Sequence, residues 1–519
     1  MKSRLLSLLS GARHHVKKAI VLPVPFASLV HVPASDGPMA LLDRAVLGSG
    51  YANFACAVVA PRFTFVAERQ APPAEDRVRM PWDDDLREPT RVARARRTLR
   101  FEGESSVDEG CPFALTEELL DAARGSVEAS DAPFLSGFVG YFGYGAGAFV
   151  ETLVADDRPR ESSPDVALLF ADAVLFTQDA DARHATLSVV GRGATSSLAA
   201  RDAEALVALV EAIVGNLVVP PPPRAIQEAR VLSSYSARTY AELVRRAKRH
   251  VIAGDVFQLC LTHRVDVSPP PSPAHLYDAL RAKNPAPFAS FLRFDDETDV
   301  TIVSSSPERF LRLSSSGVAE ARPIKGTRPR GATEAEDEAL ARDLSTSEKD
   351  GAENDMIVDL LRNDLSKVSV PGSVDVRERR VVERHPSVLQ LVSTIVSQLA
   401  PGHGPVDLLR AAFPGGSMTG APKVRAMELL AELEPRERGV YSGALGYVDV
   451  RGTLDTAIVI RTFVFAGGTC TFGVGGGVVL DSDPLAEWRE TLDKARALVD
   501  ALGVVFGGLV TWNFPDEAP

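Results

Sequence analysis

Four consecutive prolines at positions 220–223 constrain the fold of this chain more strongly than any other feature of its sequence. Proline has a fixed φ and no backbone N–H, so the run cannot continue a helix or lie in a central strand, and it favours an extended linker. An apolar helical pattern at 203–214 comes before it. We therefore predict a linker over residues 216–232 that separates an N-terminal domain (20–215) from a second domain (233–505).

The N-terminal domain contains short apolar segments, rich in β-branched and aromatic residues and bounded by Pro, Gly or Asp, at 20–24, 54–59 and 167–176. This pattern predicts strands. The charged, proline-containing segment 71–97 is predicted to be a surface loop. Glycines are interspersed with aromatic residues at 137–147, which favours a tightly packed corner of a sheet over a binding loop. No catalytic constellation is evident in this half of the sequence.

The second domain combines helices with strands. A helix is predicted to start after Ser236, which can cap it, and to end at Gly254, because apolar residues recur between them at helical spacing. A strand follows at 256–261. Further strands are predicted at 289–294, 300–304, 441–450 and 454–465, and further helices at 334–361, 423–433 and 485–502. The predicted fold class is α+β, with long antiparallel strands covered by helices.

Composition excludes several classes of function. The 519 residues carry a net charge of −12, which argues against a nucleic-acid-binding surface because such a surface needs a basic face. The four cysteines lie far apart without CxxC spacing, which is typical of a reducing compartment and indicates neither a zinc site nor a disulfide framework. No apolar run reaches the ~18–20 residues that cross a bilayer. We therefore expect a cytoplasmic protein that binds neither nucleic acid nor a membrane.

Two predicted helices each present a pair of carboxylates three residues apart, Asp350 with Glu353 and Glu487 with Glu490, and Lys494 follows one turn after the last of these. Side chains at this spacing lie on one face of a helix. Each pair by itself is typical of a solvated surface, since charged side chains are mostly exposed. If the two pairs converge, their repulsion requires a cation, and a ligand set made only of oxygen atoms indicates Mg²⁺.

Three further features could meet an anion. Residues 413–423 open a helix, so free N–H groups and the positive end of the helix are available there. Glycines at 473 and 475–477 leave backbone N–H groups accessible, although a plain turn explains them equally well. Arg461 follows a buried-looking strand, so it either pairs with a buried acid or waits for an anionic ligand.

A lone lysine, Lys325, stands between an isoleucine and a glycine, and by itself this pattern is typical of a surface lysine beside a turn. Together with the carboxylates and the anion site, the same lysine becomes a candidate amine nucleophile. The residues alone thus indicate an enzyme that acts on a small polycarboxylate with the help of Mg²⁺.

Five motifs occur in the order found in chorismate-utilising enzymes, and the sequence resembles this family densely over residues 235–503. The motifs are Pro-Ile-Lys-Gly-Thr (323–327), Ala-Glu-Asn (352–354) with Asp-Leu-Leu-Arg-Asn-Asp (359–364), Gly-Ser-Met-Thr-Gly-Ala-Pro-Lys (416–423), Arg-Gly-Val-Tyr-Ser-Gly (438–443) and Glu-x-x-Glu-Thr-x-x-Lys (487–494). The resemblance is to the large subunits of aminodeoxychorismate synthases and, more distantly, of anthranilate synthases. It implies a chorismate-binding α/β sandwich with large antiparallel sheets covered by helices, plus a smaller strand-rich N-terminal domain.

The resemblance also implies a set of site residues. In family members Mg²⁺ holds the ring carboxylate of chorismate, and the matching ligands are Glu353 and Glu490, with Asp350 and Glu487 as close or water-mediated neighbours. Glu308 matches a carboxylate proposed as general acid or base. The positions that match active-site or substrate-contacting residues are Gly326, Thr327, Ser417, Tyr441, Arg461, Gly475, Gly476, Gly477 and Lys494.

Lys325 is the position that separates members of the family. Aminodeoxychorismate synthases resemble the lysine form, in which the amine attacks C2 as the 4-hydroxyl leaves and ammonia then attacks C4, giving 4-amino-4-deoxychorismate. Such an amine must be uncharged, which removal from water and a nearby Mg²⁺ would both favour. Gln390 stands where many relatives have a histidine implicated in pyruvate elimination, and glutamine cannot shuttle a proton. The alternatives are an anthranilate synthase component, which usually has alanine at the lysine position, or an isochorismate-type enzyme.

The ammonia for such a reaction needs a source. No Gly-x-Cys-x-Gly elbow of a glutaminase occurs in the sequence. The resemblance therefore implies a separate glutamine amidotransferase subunit as the partner that supplies ammonia.

Overall fold

The structure of the protein is a computed structural model that describes residues 1–43, 54–70, 93–124, 132–151, 158–222, 228–385 and 388–515. Two large sheets, antiparallel at almost every pairing, and the helices packed on them make up this part of the chain. The α+β class predicted from the sequence is confirmed. The predicted loop 71–97 lies mainly outside the described residues, and residues 95–97 belong to a strand.

The helices have bounds that local sequence signals explain in several cases. They are α1 (Lys2–Ser10), α2 (Pro112–Ala123), α3 (Ser196–Gly215), α4 (Ala237–Ala253), α5 (Pro273–Lys283), α6 (Glu334–Thr346), α7 (Glu348–Ser366), α8 (Pro405–Ala412), α9 (Gly416–Thr419), α10 (Lys423–Leu433) and α11 (Pro484–Val505). Helix α4 begins with a capping box between Ser236 and Thr239 and ends at Gly254, which has a φ of +83°. None of the described helices is long and apolar enough to cross a bilayer.

The strands form two sheets. They are β1 (Ala12–Val21), β2 (Met39–Asp43), β3 (Ala55–Val58), β4 (Phe63–Arg69), β5 (Ala95–Phe101), β6 (Glu104–Gly110), β7 (Gly137–Phe142), β8 (Val166–Ala171), β9 (Ala173–Thr177), β10 (His184–Gly193), β11 (Ala229–Ser233), β12 (Gln258–Ser268), β13 (Phe288–Arg293), β14 (Val300–Ser306), β15 (Arg309–Leu313), β16 (Val318–Ala321), β17 (Ile324–Pro329), β18 (Asp375–Arg384), β19 (Val388–Gln398), β20 (Gly420–Ala421), β21 (Ala444–Asp449), β22 (Leu454–Ile458), β23 (Thr462–Ala466), β24 (Thr469–Val478) and β25 (Val510–Asn513). A 13-stranded sheet has the order β1-β10-β9-β3-β2-β13-β14-β23-β24-β12-β11-β25, with β20 beside β12. A 12-stranded sheet has the order β17-β19-β16-β15-β22-β21-β7-β8-β4-β5-β6, with β18 beside β19.

Both sheets contain strands from either side of the proline run. Strand β2 pairs with β13 in the larger sheet, and β7 pairs with β21 in the smaller one. The two predicted domains therefore share their backbone hydrogen bonds instead of each closing a sheet of its own. Residues 229–232, predicted as the end of the linker, lie in β11, because their backbone pairs with β12 and β25. The strand predicted at 20–24 covers 12–21, where it pairs with β10.

Two segments of the second half that were predicted as single elements are broken in the structure. The predicted helix 334–361 divides into α6 and α7 at Ser347, whose side chain accepts a hydrogen bond from the first turn of α7. The predicted strand 454–465 divides into β22 and β23 around Arg461, which has a φ of +50°. Both breaks lie at the candidate site described below.

A third break lies in the first half of the chain. The predicted strand 167–176 divides into β8 and β9 at Asp172, because its buried carboxylate accepts hydrogen bonds from Arg62 and Arg192. A charged group of this kind has to be paired when it is buried.

The apolar core includes one large cluster on each of the two sheets. One cluster packs beneath α3, α5 and α11. A second includes Phe413, whose ring contacts those of Phe113, Phe142 and Phe310 and so joins α2 to both halves of the smaller sheet. Each such side chain contributes about 1.5–3 kcal/mol by leaving water. This packing holds α7 and α11, the helices that carry the candidate carboxylates.

Candidate active site

Lys325 lies where strand β17 departs from regular pairing. The pairing of β17 with β19 slips by one residue between Ile324 and Thr327. Gly326, inside this irregularity, has a φ of +79°, a conformation that glycine adopts without strain. Irregularities of this kind re-aim a side chain, and this one determines the direction of Lys325. Thr327 is exposed on the same strand.

The Lys325 side chain interacts electrostatically with three carboxylates, those of Glu308, Glu353 and Glu490. Its positive charge lowers the pKa of each of them, and it acts in the same direction on the buried thiol of Cys260. These groups come from four separate elements, so the lysine lies at their meeting point.

Glu308 is buried in the short turn between β14 and β15. Burial raises the pKa of its carboxyl group, and the Lys325 ammonium and a hydrogen bond with Ser417 partly offset this rise. Ser417 lies on the short helix α9 and is itself buried. A carboxyl group with a raised pKa keeps its proton to higher pH and can donate it to a leaving group.

Helices α7 and α11 bring three of the four predicted metal-site carboxylates together. The Nζ atom of Lys349 lies 3.9 Å from Oε1 of Glu353 on α7 and 3.7 Å from Oε1 of Glu487 on α11. Glu490, further along α11, forms an ion pair of 2.7 Å with Nζ of Lys494. The two helices therefore meet at a cluster of alternating charges.

The pKa values in this cluster reflect burial and mutual repulsion. Burial raises the pKa of Glu353 and of Glu487, and the charge of Glu490 adds to both shifts. For Glu490 burial acts in the same direction, but the ion pair with Lys494 lowers its pKa overall. Removal from water lowers the pKa of Lys494, and Glu490 more than compensates. Glu490 and Lys494 are therefore a charged pair, whereas the other two carboxylates carry unfavourable charge.

Asp350 differs from the other three carboxylates in having an arginine as its partner. Its carboxylate accepts a hydrogen bond of 3.0 Å from the Arg328 guanidinium. A Cβ on Gly326 would lie 2.9 Å from the Asp350 side chain, so the glycine allows β17 to approach α7. Asp350 also adds negative charge near Glu353. Its predicted place beside a metal stays a prediction, with Arg328 as its partner in the structure.

The carboxylate cluster suits a hard divalent cation. Oε2 of Glu487 is buried and has no hydrogen-bond partner in the described part of the chain. The ammonium group of Lys349 lies between Glu353 and Glu487, so that space attracts positive charge. Over the described ranges, no three His, Cys, Asp or Glu side chains form a group that could hold a metal by themselves. A Mg²⁺ ion here would take few protein oxygens and would complete its coordination with water or with a bound anion.

Arg461 occupies the left-handed turn between β22 and β23. Burial lowers the pKa of its guanidinium and the Glu308 carboxylate partly offsets this. Neither an ion pair nor a side-chain hydrogen bond of this guanidinium is found within the described residues. A partly buried arginine without a partner is suited to a bidentate bond with a carboxylate ligand.

The glycines at 473 and 475–477, for which a plain turn was the alternative, lie in strand β24. Gly475, Gly476 and Gly477 pair in register with residues 260–262 of β12. Strand β23 pairs with β24 only as far as Phe472, so on that side the backbone N–H groups of 473–477 have no strand partner among the described residues. Because glycine has no side chain, the Glu487 carboxylate can approach the strand closely. A Cβ on Gly476 would lie 3.1 Å from Oε2 of Glu487.

Tyr441 and Lys494 border the same glycine strand. The ring of Tyr441 is buried against Gly473, where a Cβ would lie 2.3 Å from a ring carbon. Lys494 donates a hydrogen bond of 2.8 Å to the backbone oxygen of Gly475. The structure thus places both predicted contact residues beside β24.

Sequence reasoning missed Gln258, the first residue of β12. Its side chain is fully buried, and neither amide atom has a hydrogen-bond partner among the described residues. A Cβ on Gly477 would lie 2.6 Å from Nε2, so the amide faces the glycine strand. A buried unpaired amide costs free energy and is available to a ligand. A lone glutamine in the apolar run 256–261 was the signal that could have revealed it.

A buried ion pair next to the site was also missed. Arg438 donates hydrogen bonds of 2.7 Å to Oε1 of Glu434 and of 2.6 and 2.7 Å to the backbone oxygens of Met418 and Cys260. Its guanidinium also lies 4.4 Å from the centre of the Tyr144 ring. The pair therefore links helix α9, strand β12 and the glycine- and aromatic-rich segment of the N-terminal half.

The fold and the site together define a class of protein: an α+β protein whose large antiparallel sheets support a site suited to a small polycarboxylate. This site contains clustered carboxylates, a lysine and an arginine that has no partner within the described part of the chain. Residues 81–500 match the protein-family model described as chorismate binding enzyme. The chain belongs to this family, which confirms the resemblance at the level of the family.

Individual relatives divide between two activities. The chain is 41% identical to the aminodeoxychorismate synthase of Streptomyces griseus over 412 residues, which are 79% of this chain and 56% of that protein. It is 40% identical to anthranilate synthase component 1 of Pseudomonas putida over 407 residues, 76% of this chain and 80% of that protein. The chain thus spans a little over half of the length of two Streptomyces aminodeoxychorismate synthases that it matches.

Solved structures support the fold. Anthranilate synthase component I of Streptococcus pneumoniae matches with a TM-score of 0.68 and 27% identity, covering 87% of this chain and 93% of that one. The menaquinone-specific isochorismate synthase of Escherichia coli has a TM-score of 0.67 at 18% identity, covering 96% and 98%, and bears on the fold alone.

Proposed function

We propose that this chain catalyses the Mg²⁺-dependent amination of chorismate at C4, with ammonia as the nitrogen source, to give 4-amino-4-deoxychorismate. The observation that carries the proposal is the position of Lys325, whose amine interacts with Glu308, Glu353 and Glu490. The 41% identity to two aminodeoxychorismate synthases supports it.

The site offers a partner for each carboxylate of chorismate. Arg461, which has no ion-pair partner among the residues that the structure describes, would bind the enolpyruvyl carboxylate. Glu353 and Glu490 would hold Mg²⁺, with Glu487 beside them. The bound ion would neutralise the ring carboxylate and fix its position. The N–H groups of the β24 glycines and the Lys494 side chain would orient the ring beside Tyr441.

The first step would use Lys325 as nucleophile and Glu308 as acid. The bond from Nζ to C2 forms, the ring double bonds shift, and the bond from C4 to the hydroxyl oxygen breaks. Glu308, whose pKa burial raises, would give its proton to the departing hydroxyl, which leaves as water. The Glu308 carboxylate that remains would take one proton from the attacking amine, so that a neutral secondary amine joins the lysine to the ring.

The second step would return the lysine. Ammonia forms a bond to C4, the double bonds shift back, and the bond from C2 to Nζ breaks, so the net reaction converts chorismate and ammonia to product and water. The unpaired amide oxygen of Gln258 could accept a hydrogen bond from the incoming ammonia. The enolpyruvyl group stays on the ring, and the buried Gln390 on β19 offers no acid–base group for its elimination.

A glutamine amidotransferase subunit would supply the ammonia. The sequence has no Gly-x-Cys-x-Gly elbow, and the matched aminodeoxychorismate synthases are longer than the region they share with this chain. Ammonium salts should replace the partner in the assay, since the synthase step needs only free ammonia.

Anthranilate synthesis is the second candidate function. The 40% identity to the Pseudomonas putida component, 80% of whose length is matched, favours it. Lys325 argues against it, because its side chain would occupy the space that the alanine of anthranilate synthases leaves for a direct attack of ammonia on the ring. An isochorismate-type activity has support from the fold alone.

The product decides between these functions. The purified chain is incubated with chorismate, Mg²⁺ and ammonium, and products are separated by liquid chromatography. We expect 4-amino-4-deoxychorismate without release of pyruvate, whereas anthranilate with an equal amount of pyruvate would overturn the proposal.

A variant tests the role of the lysine in that reaction. Lys325→Ala should lose turnover but keep Mg²⁺-dependent binding of chorismate, and the exposed Lys283→Ala is the matched control. Unchanged turnover in Lys325→Ala would remove the covalent step.

A further inference from the structure

Lys349 lies between two carboxylates that belong to different helices. It occupies the first turn of α7, and its Nζ atom is 3.9 Å from Oε1 of Glu353 and 3.7 Å from Oε1 of Glu487. Both separations exceed hydrogen-bond length, and 52% of the Lys349 side chain is exposed. The ammonium is thus held by charge alone and has open solvent beside it.

The neighbouring lysine on α11 behaves differently. Lys494 forms an ion pair of 2.7 Å with Glu490 and also donates to the backbone oxygen of Gly475, so two bonds fix its ammonium. Lys349 has no such second bond among the described residues. Of the two cations, Lys349 is therefore the one that can leave without breaking a hydrogen bond.

The carboxylates on either side of Lys349 need a positive charge. Only 15% of the Glu353 side chain and 3% of the Glu487 side chain are exposed, so both carboxylates are largely removed from water. Oε2 of Glu487 is buried without a partner in the described chain. A second cation could use this oxygen, which points towards Gly476.

We propose that Lys349 is a displaceable counter-cation of the metal position. Without a divalent ion its ammonium lies between Glu353 and Glu487, and when Mg²⁺ binds to Glu353 and Glu490, with Glu487 beside them, the lysine side chain withdraws into solvent. The flexible stem and strong hydration of a lysine ammonium permit this exchange. The inference depends on the proposed use of Mg²⁺ and not on the product of the reaction.

Two measurements should change in opposite directions when the charge is removed. Lys349→Met keeps the length of the side chain but leaves the carboxylates uncompensated, so the metal-free protein should melt at a lower temperature. The same variant should bind Mg²⁺ about threefold to tenfold more tightly, because the ion no longer competes with two partly exposed ion pairs. Lys349→Arg keeps the charge and should retain a melting temperature and an affinity close to those of the unaltered protein.

Lys367 offers a matched control at the other end of α7. Its Nζ atom lies 3.0 Å from Asp364, with 43% of the side chain exposed. Asp364 keeps the buried Lys423 as a second partner. Lys367→Met should therefore lower the melting temperature slightly and leave the Mg²⁺ affinity unchanged.

The experiment uses the full chain after removal of metal with a chelator, without chorismate. Calorimetric titration with MgCl₂ measures the affinity, and scanning calorimetry in the chelator measures the melting temperature. Tighter binding together with a lower melting temperature in Lys349→Met supports the inference. Unchanged or weaker binding in this variant overturns it, as does the absence of any Mg²⁺ binding by the unaltered chain. A chain that made anthranilate would fail the product assay and still give the expected result here.

Discussion

Removing the guanidinium of Arg438 should destabilise the protein by about 3 kcal/mol. Arg438→Met keeps the bulk of the side chain but removes its charge and its hydrogen bonds to Glu434 and to two backbone oxygens. The buried Glu434 carboxylate then keeps the hydrogen bonds from Thr262 and an ion pair with Arg158, whose guanidinium lies 3.5 Å away. Removing one partner of a buried pair costs about 3–5 kcal/mol, and the partners that remain to Glu434 favour the lower end of this range.

A double variant identifies the source of this cost. Glu434→Gln in the Arg438→Met background removes the uncompensated charge and keeps an oxygen that accepts the hydrogen bonds from Thr262. The double variant should therefore be more stable than Arg438→Met alone.

Urea unfolding followed by circular dichroism measures both effects. The midpoint should fall in the single variant and recover in part in the double variant, at an unchanged dependence on urea concentration. A single variant within about 1 kcal/mol of the unaltered protein would refute the reasoning, because a surface ion pair costs no more than that. A double variant less stable than the single one would show that the lost hydrogen bonds, and not the unpaired charge, dominate.

Two further predictions concern the site itself. Gly476→Ala should weaken Mg²⁺ binding about tenfold, because its methyl group would lie 3.1 Å from Oε2 of Glu487 and displace that carboxylate. Calorimetric titration measures this affinity. The control is Gly503→Ala, whose methyl group would meet nothing within 4 Å and should leave the affinity unchanged. Glu308→Gln should lower turnover of chorismate by about 10²–10⁴-fold through loss of the acid. Burial raises the pKa of Glu308 above the ordinary value of 4.5, so the folded protein binds this proton more tightly than the unfolded chain, and that stabilisation disappears as the pH rises through the raised pKa. The free energy of unfolding of Glu308→Gln relative to the unaltered protein should therefore increase with pH across that window, and a constant difference would contradict the assignment.

Local signals in the sequence were sufficient for individual helices. The helix predicted at 423–433 is α10, Lys423–Leu433, and the predicted bounds of α4 at Ser236 and Gly254 are confirmed. Helical periodicity and end caps act within a few residues of each other, so they can be read without knowledge of the fold. The α+β class followed from the same kind of pattern.

The pairing of strands and the positions at which strands are interrupted could not be predicted without the tertiary structure. The proline run suggested two domains, yet β2 pairs with β13 and β7 with β21 across it. An alternating apolar pattern predicts that a strand pairs with another strand, but it does not identify the partner. Any strand edge with a suitable register can form the backbone hydrogen bonds. The break of 454–465 around Arg461 likewise depends on the turn in which that arginine lies.

The sequence by itself determined which residues could carry chemistry, because helical spacing places Asp350 with Glu353, and Glu487 with Glu490, on one face of a helix. Only the tertiary structure decided which of them meet: the three glutamates cluster around lysines, whereas Asp350 pairs with Arg328. Charges interact over a few ångströms of space however many residues separate them along the chain, so their pairing depends on how α7 and α11 pack against the sheets.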